Sequence, residues 1–162
     1  DVFSYRQSNS LLYGGEFGIH FHPAHLDWLH IKTIFSSVVG KQKHGDYLPF
    51  IPAHKLNFEV RFEKLKILFL KEAYFQANSN IAFDQNKAAP DEEATSGYTL
   101  FDLSFGGNIK LMKQKASLNI TASNILDKKY IDHLSTLRES GFYNPGRNIS
   151  ISLKIPIGIV SK

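Results

Sequence analysis

Polar and apolar residues alternate with a period of two over most of this chain, the pattern of half-buried β-strands rather than helices. Between His54 and Glu63, residues Leu56, Phe58, Val60 and Phe62 fall on one side, and Lys55, Asn57, Glu59, Arg61 and Glu63 on the other. Ile149, Ile151, Leu153, Ile155 and Ile157 alternate with Ser150, Ser152, Lys154 and Pro156. Leu11, Tyr13, Phe17, Ile19 and Phe21 oppose Glu16, His20 and His22. Leu29, Ile31, Thr33, Phe35 and Val39 oppose His30, Lys32 and Ser36, although Ile34 and Val38 interrupt the polar side. Phe101, Leu103 and Phe105, and then Leu118 and Ile120, repeat the theme. From Ile67 to Asn78 the alternation is untidy: Lys71 falls on the side of Phe69, Ala73 and Phe75, which predicts a bulge or a snorkelling lysine. The pattern predicts seven strands of about 10 to 14 residues, with Val2 to Tyr5 as the tail of an eighth, and no helix.

The connections add a second pattern. His22 to His25, Lys64 to Lys66 and Gly106 to Gln114 are short or moderate, whereas Gly40 to Pro52, Asn78 to Gly97 and Asp127 to Arg147 are long and polar. Short and long alternate strictly, as they do in antiparallel strands with tight turns on one rim and long loops on the other. A sandwich of two sheets does not require that order. The strand lengths also meet the roughly 9 to 11 residues that a tilted strand needs to cross a bilayer.

Composition narrows the picture without overturning it. The 162 residues are 43% hydrophobic and 21% charged, which excludes a disordered chain. Nineteen lysines and arginines against fifteen acids leave a net charge of +4, too scattered to imply a nucleic-acid partner. The absence of cysteine removes disulfides, thiolate metal sites and cysteine nucleophiles. No apolar run approaches the roughly 18 residues of a membrane helix. A mean hydropathy of −0.21 is neutral between a soluble domain and a barrel that shows lipid only alternate residues. The chain starts at Asp1 with no initiator Met or apolar leader, which reads as a removed signal or as a piece of something longer.

Three local patterns stand out. Leu48-Pro49-Phe50-Ile51-Pro52-Ala53-His54-Lys55-Leu56 punctuates the start of a strand with two residues that lack amide donors. Asn124-Ile125-Leu126-Asp127-Lys128-Lys129-Tyr130 ends a strand with turn formers whose side chains can satisfy local amides. Pro145-Gly146-Arg147 opens the last strand, with Gly146 expected to take a positive φ. Together with a weaker Gly15-Glu16 pair, and in this order, they resemble the C-terminal β-barrel portion of TonB-dependent outer-membrane receptors of the siderophore-receptor kind. The resemblance covers essentially the whole chain. It departs from the family in lacking a terminal aromatic residue.

That resemblance implies an all-β fold, an antiparallel transmembrane β-barrel segment of about eight strands with short periplasmic turns and long extracellular loops. It would belong to a larger, plugged barrel of the roughly 22-stranded class, with residues 1–162 as barrel and the plug domain outside them. The implied function is capture of a scarce nutrient, first a ferric siderophore, and its import into the periplasm of a Gram-negative cell. The implied partners are the TonB-ExbB-ExbD complex acting through the plug, the plug itself, outer-membrane lipid and a small-molecule metal chelate. No nucleic acid and no cofactor are implied. Candidate ligand contacts in the long loops are His44, Tyr47, His133, Arg138 and Tyr143, since arginine can pair with an anionic chelate and tyrosines stack on rings. Glu16, Asn57, Glu59 and Arg61 are expected to face the lumen and plug.

Other readings remain open from the residues. His20 and His22, two apart on one strand face, can share a metal, but the sequence shows no third ligand, so no metal site is expected. Catalysis is not expected either, because serines and histidines abound without a nucleophile elbow or paired carboxylates. A soluble all-β module for lipid or glycan would alternate too, with its apolar side facing inward. Haem, cobalamin and oligosaccharide are alternative cargoes.

Overall fold

The computed structural model describes residues 9–43, 45–67, 70–111 and 114–156, without the side chains of Leu65 and Lys66. Seven strands, β1 (Ser10–Phe21), β2 (Leu29–Gln42), β3 (Lys55–Ile67), β4 (Leu70–Ala82), β5 (Tyr98–Leu111), β6 (Gln114–Ser123) and β7 (Asn148–Lys154), form one antiparallel sheet in sequence order. The sheet is open: among the described residues β1 and β7 do not pair. The expected eighth strand at Val2 to Tyr5 lies outside the described residues.

Register carries the alternation across the whole sheet. Phe17 stands opposite Phe35, Phe35 opposite Leu56 and Leu56 opposite Ile81. Lower on the same face, Phe62 meets Phe75, Phe75 meets Phe105, and Ile120 meets Ile151. The other face is equally consistent, with Lys32 opposite Glu59, Glu59 opposite Asn78 and Asn78 opposite Asp102. One face is therefore mainly apolar and the other mainly polar, with Thr33 and Ser79 among the apolar positions and Ile34 and Leu100 among the polar ones, and a slip of one residue would invert both.

Among the described residues nothing covers the apolar face. The buried apolar ones among the described residues are Val39, Leu70, Ala73, Ala82 and Ala116, and no large side chain among them is fully buried. Phe17 is 65% exposed, Phe58 42%, Ile151 71% and Leu153 50%. A soluble module would turn these residues inward. Along β2 the apolar positions run from Leu29 to Val39, a rise of about 33 Å at about 3.3 Å per residue. Tilted by about 40°, that strand spans a height of about 25 Å, which matches the apolar band of an outer-membrane barrel. Aromatic rings gather towards both ends of the band. Trp28 stacks on Phe62 at 5.9 Å with Phe75 a further 6.3 Å on, and Phe35 meets Phe83 edge-on at 6.5 Å near the long loops.

Short and long connections alternate as expected, but the short ones are tighter. Lys64 to Lys66 belongs to β3, and Gly106 to Leu111 to β5, so these expected connections are strand. The strands run on because bulges absorb the irregular residues. The β3–β4 register shifts between Phe62 and Leu65 and again before Ile67, with Lys64 at φ 58°. The β4–β5 register shifts between Lys71 and Tyr74, with Glu72 at φ 52°. The second bulge places Lys71 opposite Asn108, in the polar register, which resolves its awkward position in the alternation.

Candidate functional site

Functional groups gather in three places: the polar face, the long-loop rim and the opposite rim. On the polar face, Asn57, Glu59 and Arg61 join one hydrogen-bonded lattice. Arg61 donates to Gln76 at 2.9 Å and to Glu63 at 2.6 Å, and its guanidinium lies 3.8 Å from the centre of the Tyr74 ring. Gln76 donates to Glu59 at 3.0 Å, and Asn57 donates to Asn78 and Asn80. Asn80 donates on to Asp102, and the Tyr74 hydroxyl to Asn119. A side chain at position 106 would meet the Tyr74 ring 2.7 Å from its Cβ, so Gly106 leaves the room in which that ring lies. Glu16 stands in the same register, opposite Ser36. Such a cross-braced surface holds its charges in fixed positions and stays wettable.

At the long-loop rim, three loops meet. Glu92, from the loop between β4 and β5, accepts from Arg138 at 3.1 Å and lies 3.3 Å from Nε2 of His133, both in the loop between β6 and β7. It also accepts from the amide of Phe50, in the loop between β2 and β3, at 3.4 Å. Arg138 donates to Nδ1 of His133 at 3.0 Å and to its carbonyl at 2.6 Å, so Nδ1 accepts and the ring proton sits on Nε2, facing Glu92. The three side chains are 2–10% exposed. Burial opposes ionisation of Glu92, but Arg138, the Phe50 and Ala89 amides and the nearby His133 outweigh it and hold the carboxyl below its usual range. Burial pushes the His133 pKa down, against the pull of Glu92, so the ring is neutral at neutral pH.

Further ties hold the same loops. The buried Gln85 donates to the carbonyls of Ile51 and Pro52 at 2.8 and 3.1 Å. Asp132 accepts from Lys55 at 3.1 Å and from the Tyr98 hydroxyl at 2.6 Å. Burial works against the Asp132 charge, yet Tyr98, the Leu134 amide and Lys55 hold its pKa low. Leu48 and Ile51 fold back over Gly40, where an added Cβ would lie 2.8 Å from Ile51 Cδ1.

The two motifs of the last loop meet one another. Asn124 and Asp127 have φ of 48° and 52°, and Asn124 accepts from the Lys128 amide at 2.9 Å. Asp127 accepts from the Arg147 amide at 2.9 Å. Gly146 does not take the positive φ expected of it. It is needed for space: a Cβ there would lie 2.7 Å from Asp127 Oδ1.

Of the five loop candidates, the structure brings His133 and Arg138 together in the buried cluster. Tyr47 is half-buried and bridges to Lys41, whose ammonium lies 5.5 Å from its ring. Tyr143 is 59% exposed, with Lys129 6.0 Å above its ring. His44 lies outside the described residues. Arg138 and Tyr143 both line a cleft of about 460 Å³, together with Lys128, Lys129 and Tyr130. Sequence reasoning missed Glu92, Asp132 and Gln85, which carry no local motif and gain meaning only when distant loops converge.

At the opposite rim, the β1–β2 hairpin brings His20, His22 and His30 together, with ligand-type nitrogens within 4.8 Å of one another. His30 is the third imidazole that spacing along one strand did not reveal. The signal was present in the hairpin: Phe21 pairs with Ile31, so the next pair outward is His22 with His30.

The fold is shared with a solved transporter. The copper transporter OprC superposes on this chain with a TM-score of 0.75 at 19% identity, over 90% of this chain and 23% of that one. The chain thus spans about a quarter of that transporter's length. At this identity the likeness shows the fold alone, seven antiparallel strands in one open sheet. No family model and no curated protein matches the sequence. Among the described residues no helix is long and apolar enough to cross a membrane, which says nothing of a β-barrel.

Proposed function

We infer that this chain is part of the wall of an outer-membrane active transporter that captures a scarce nutrient at its long-loop rim and passes it to the periplasm of a Gram-negative cell. The observation that carries this reading is the uncovered apolar face backed by a continuous polar lattice, the two surfaces that a membrane-spanning barrel presents to lipid and to its lumen. The motif resemblance to TonB-dependent receptors adds the energy source: TonB-ExbB-ExbD, acting on a plug domain that the polar face would contact through Glu16, Asn57, Glu59 and Arg61.

A ferric siderophore is the first choice of cargo. The rim cleft offers Lys128 and Lys129 to an anionic chelate, and Tyr130 and Tyr143 to its rings. In the full receptor, replacing Lys128 and Lys129 by alanine should weaken binding of a ferric catecholate at least tenfold. The barrel should keep its heat-modifiable migration on gels. Unchanged affinity with that folded signature would remove the siderophore assignment. Copper is the second reading, supported by the fold shared with a copper transporter.

A further inference from the structure

We propose that His20, His22 and His30 form a binding site for a divalent transition metal of the imidazole-preferring class, Cu²⁺, Ni²⁺ or Zn²⁺, at the short-turn rim of the polar face. Nε2 of His22 lies 3.3 Å from Nδ1 of His20. Two nitrogens at about 2.0–2.1 Å from one tetrahedral metal are separated by about 3.3 Å, so this pair already has ligand spacing. His30 completes a facial set, its ring centre 4.4 Å from that of His22 and 6.0 Å from that of His20.

The surroundings favour coordination over simple charge attraction. Nε2 of His30 is buried and has no hydrogen-bond partner, although Glu63 Oε2 lies 3.3 Å away. A small rotation of either group lets the carboxylate orient the ring, as carboxylates do behind metal-bound histidines. Glu63 is itself placed by its amide, which donates to the Trp28 carbonyl at 2.7 Å, and by Arg61 at 2.6 Å. Two cations stand opposite the imidazoles, Lys32 across from His20 and Arg61 across from His30. They disfavour Ca²⁺ or Mg²⁺, which bind through carboxylate charge, and leave metals for which neutral imidazole is a strong ligand.

The test uses the full receptor chain folded in detergent micelles and titrated with CuCl₂ in a calorimeter, with electron paramagnetic resonance of the bound Cu²⁺. One ion should bind with a dissociation constant of micromolar or tighter, and the spectrum should show couplings from imidazole nitrogens. Replacement of His20, His22 or His30 by alanine should weaken binding at least tenfold, and all three together should abolish it. His25→Ala, in the same turn but outside the group, should bind as the parent does. Glu63→Gln should weaken binding less than loss of a ligand. All variants should keep the heat-modifiable migration of the folded barrel. Equal binding by parent and triple variant would overturn the proposal, as would a spectrum without nitrogen couplings or no binding at all. The site stands independently of the transport reading, since its occupancy is measured without uptake.

Discussion

At the scale of single residues, the most consequential positions are those that tie distant segments. Gly146 is one. An alanine there would push the Asp127 carboxylate off the Arg147 amide, because its Cβ would lie 2.7 Å from Oδ1. The loss of one such bond and the local overcrowding should destabilise the loop by about 1 kcal/mol, read as a lower urea midpoint of the chain in micelles. A midpoint equal to the parent's would show that Asp127 moves freely. Arg138 is the second. Its removal leaves Glu92 buried with only a neutral histidine and two amides, a change worth about 3–5 kcal/mol when a buried pair is broken. Because the cluster lies outside the sheet, that loss should appear locally. Amide exchange in the loops around Glu92 and His133 should accelerate by about two to four orders of magnitude in Arg138→Ala, with the exchange of β3 to β5 unchanged.

At the scale of elements, alternation carried the strands and failed where bulges changed the count. Lys55 to Glu63 was legible because one β-branched and three large apolar residues alternate with five polar ones. Lys64 to Lys66 looked like a turn because three adjacent residues, two of them lysine, break the period, yet a bulge at Lys64 let the strand continue. The loop motifs around Asn124 and Arg147 were legible as strand ends. Their contact with one another was not, because spacing along a chain does not say which distant carboxylate meets which amide. The loops themselves behave as one unit, which makes a pH dependence expected. The folded pKa values of Glu92, Asp132 and His133 are all depressed, so the unfolded loops bind more protons on acidification. Their stabilisation is full above the ordinary histidine value of about 6.5. It declines first as His133 is driven towards its folded pKa, and again below about 4 as the carboxylates protonate. Limited proteolysis of the rim should therefore quicken from pH 7 to pH 5 and further at pH 3, in micelles that leave the strands intact. A flat profile would mean that the cluster does not hold the loops.

At the scale of the whole molecule, the fold makes sense only with something on both sides of it and at both edges. The apolar face exposes Phe17, Phe58, Ile149 and Ile151 to whatever surrounds the chain. In water this is a patch of the kind that drives association, and among the described residues β1 and β7 add sheet edges with no neighbouring strand at the margins. A bilayer removes the first problem, and closure with further strands removes the second. The 162-residue chain alone, diluted from urea into plain buffer, should therefore assemble into β-rich oligomers or precipitate. In micelles the apolar face should be satisfied but the edges should not, so small edge-to-edge oligomers should persist. An apolar photoreactive probe in the micelle should label Phe58 and Ile151 and spare the polar lattice around Asn57 and Arg61. Sedimentation in the two solvents, followed by mapping of the label, separates the possibilities. A monodisperse monomer in buffer with Phe58 unlabelled would mean that the apolar side is sealed against protein, and the barrel-wall reading would fall with it.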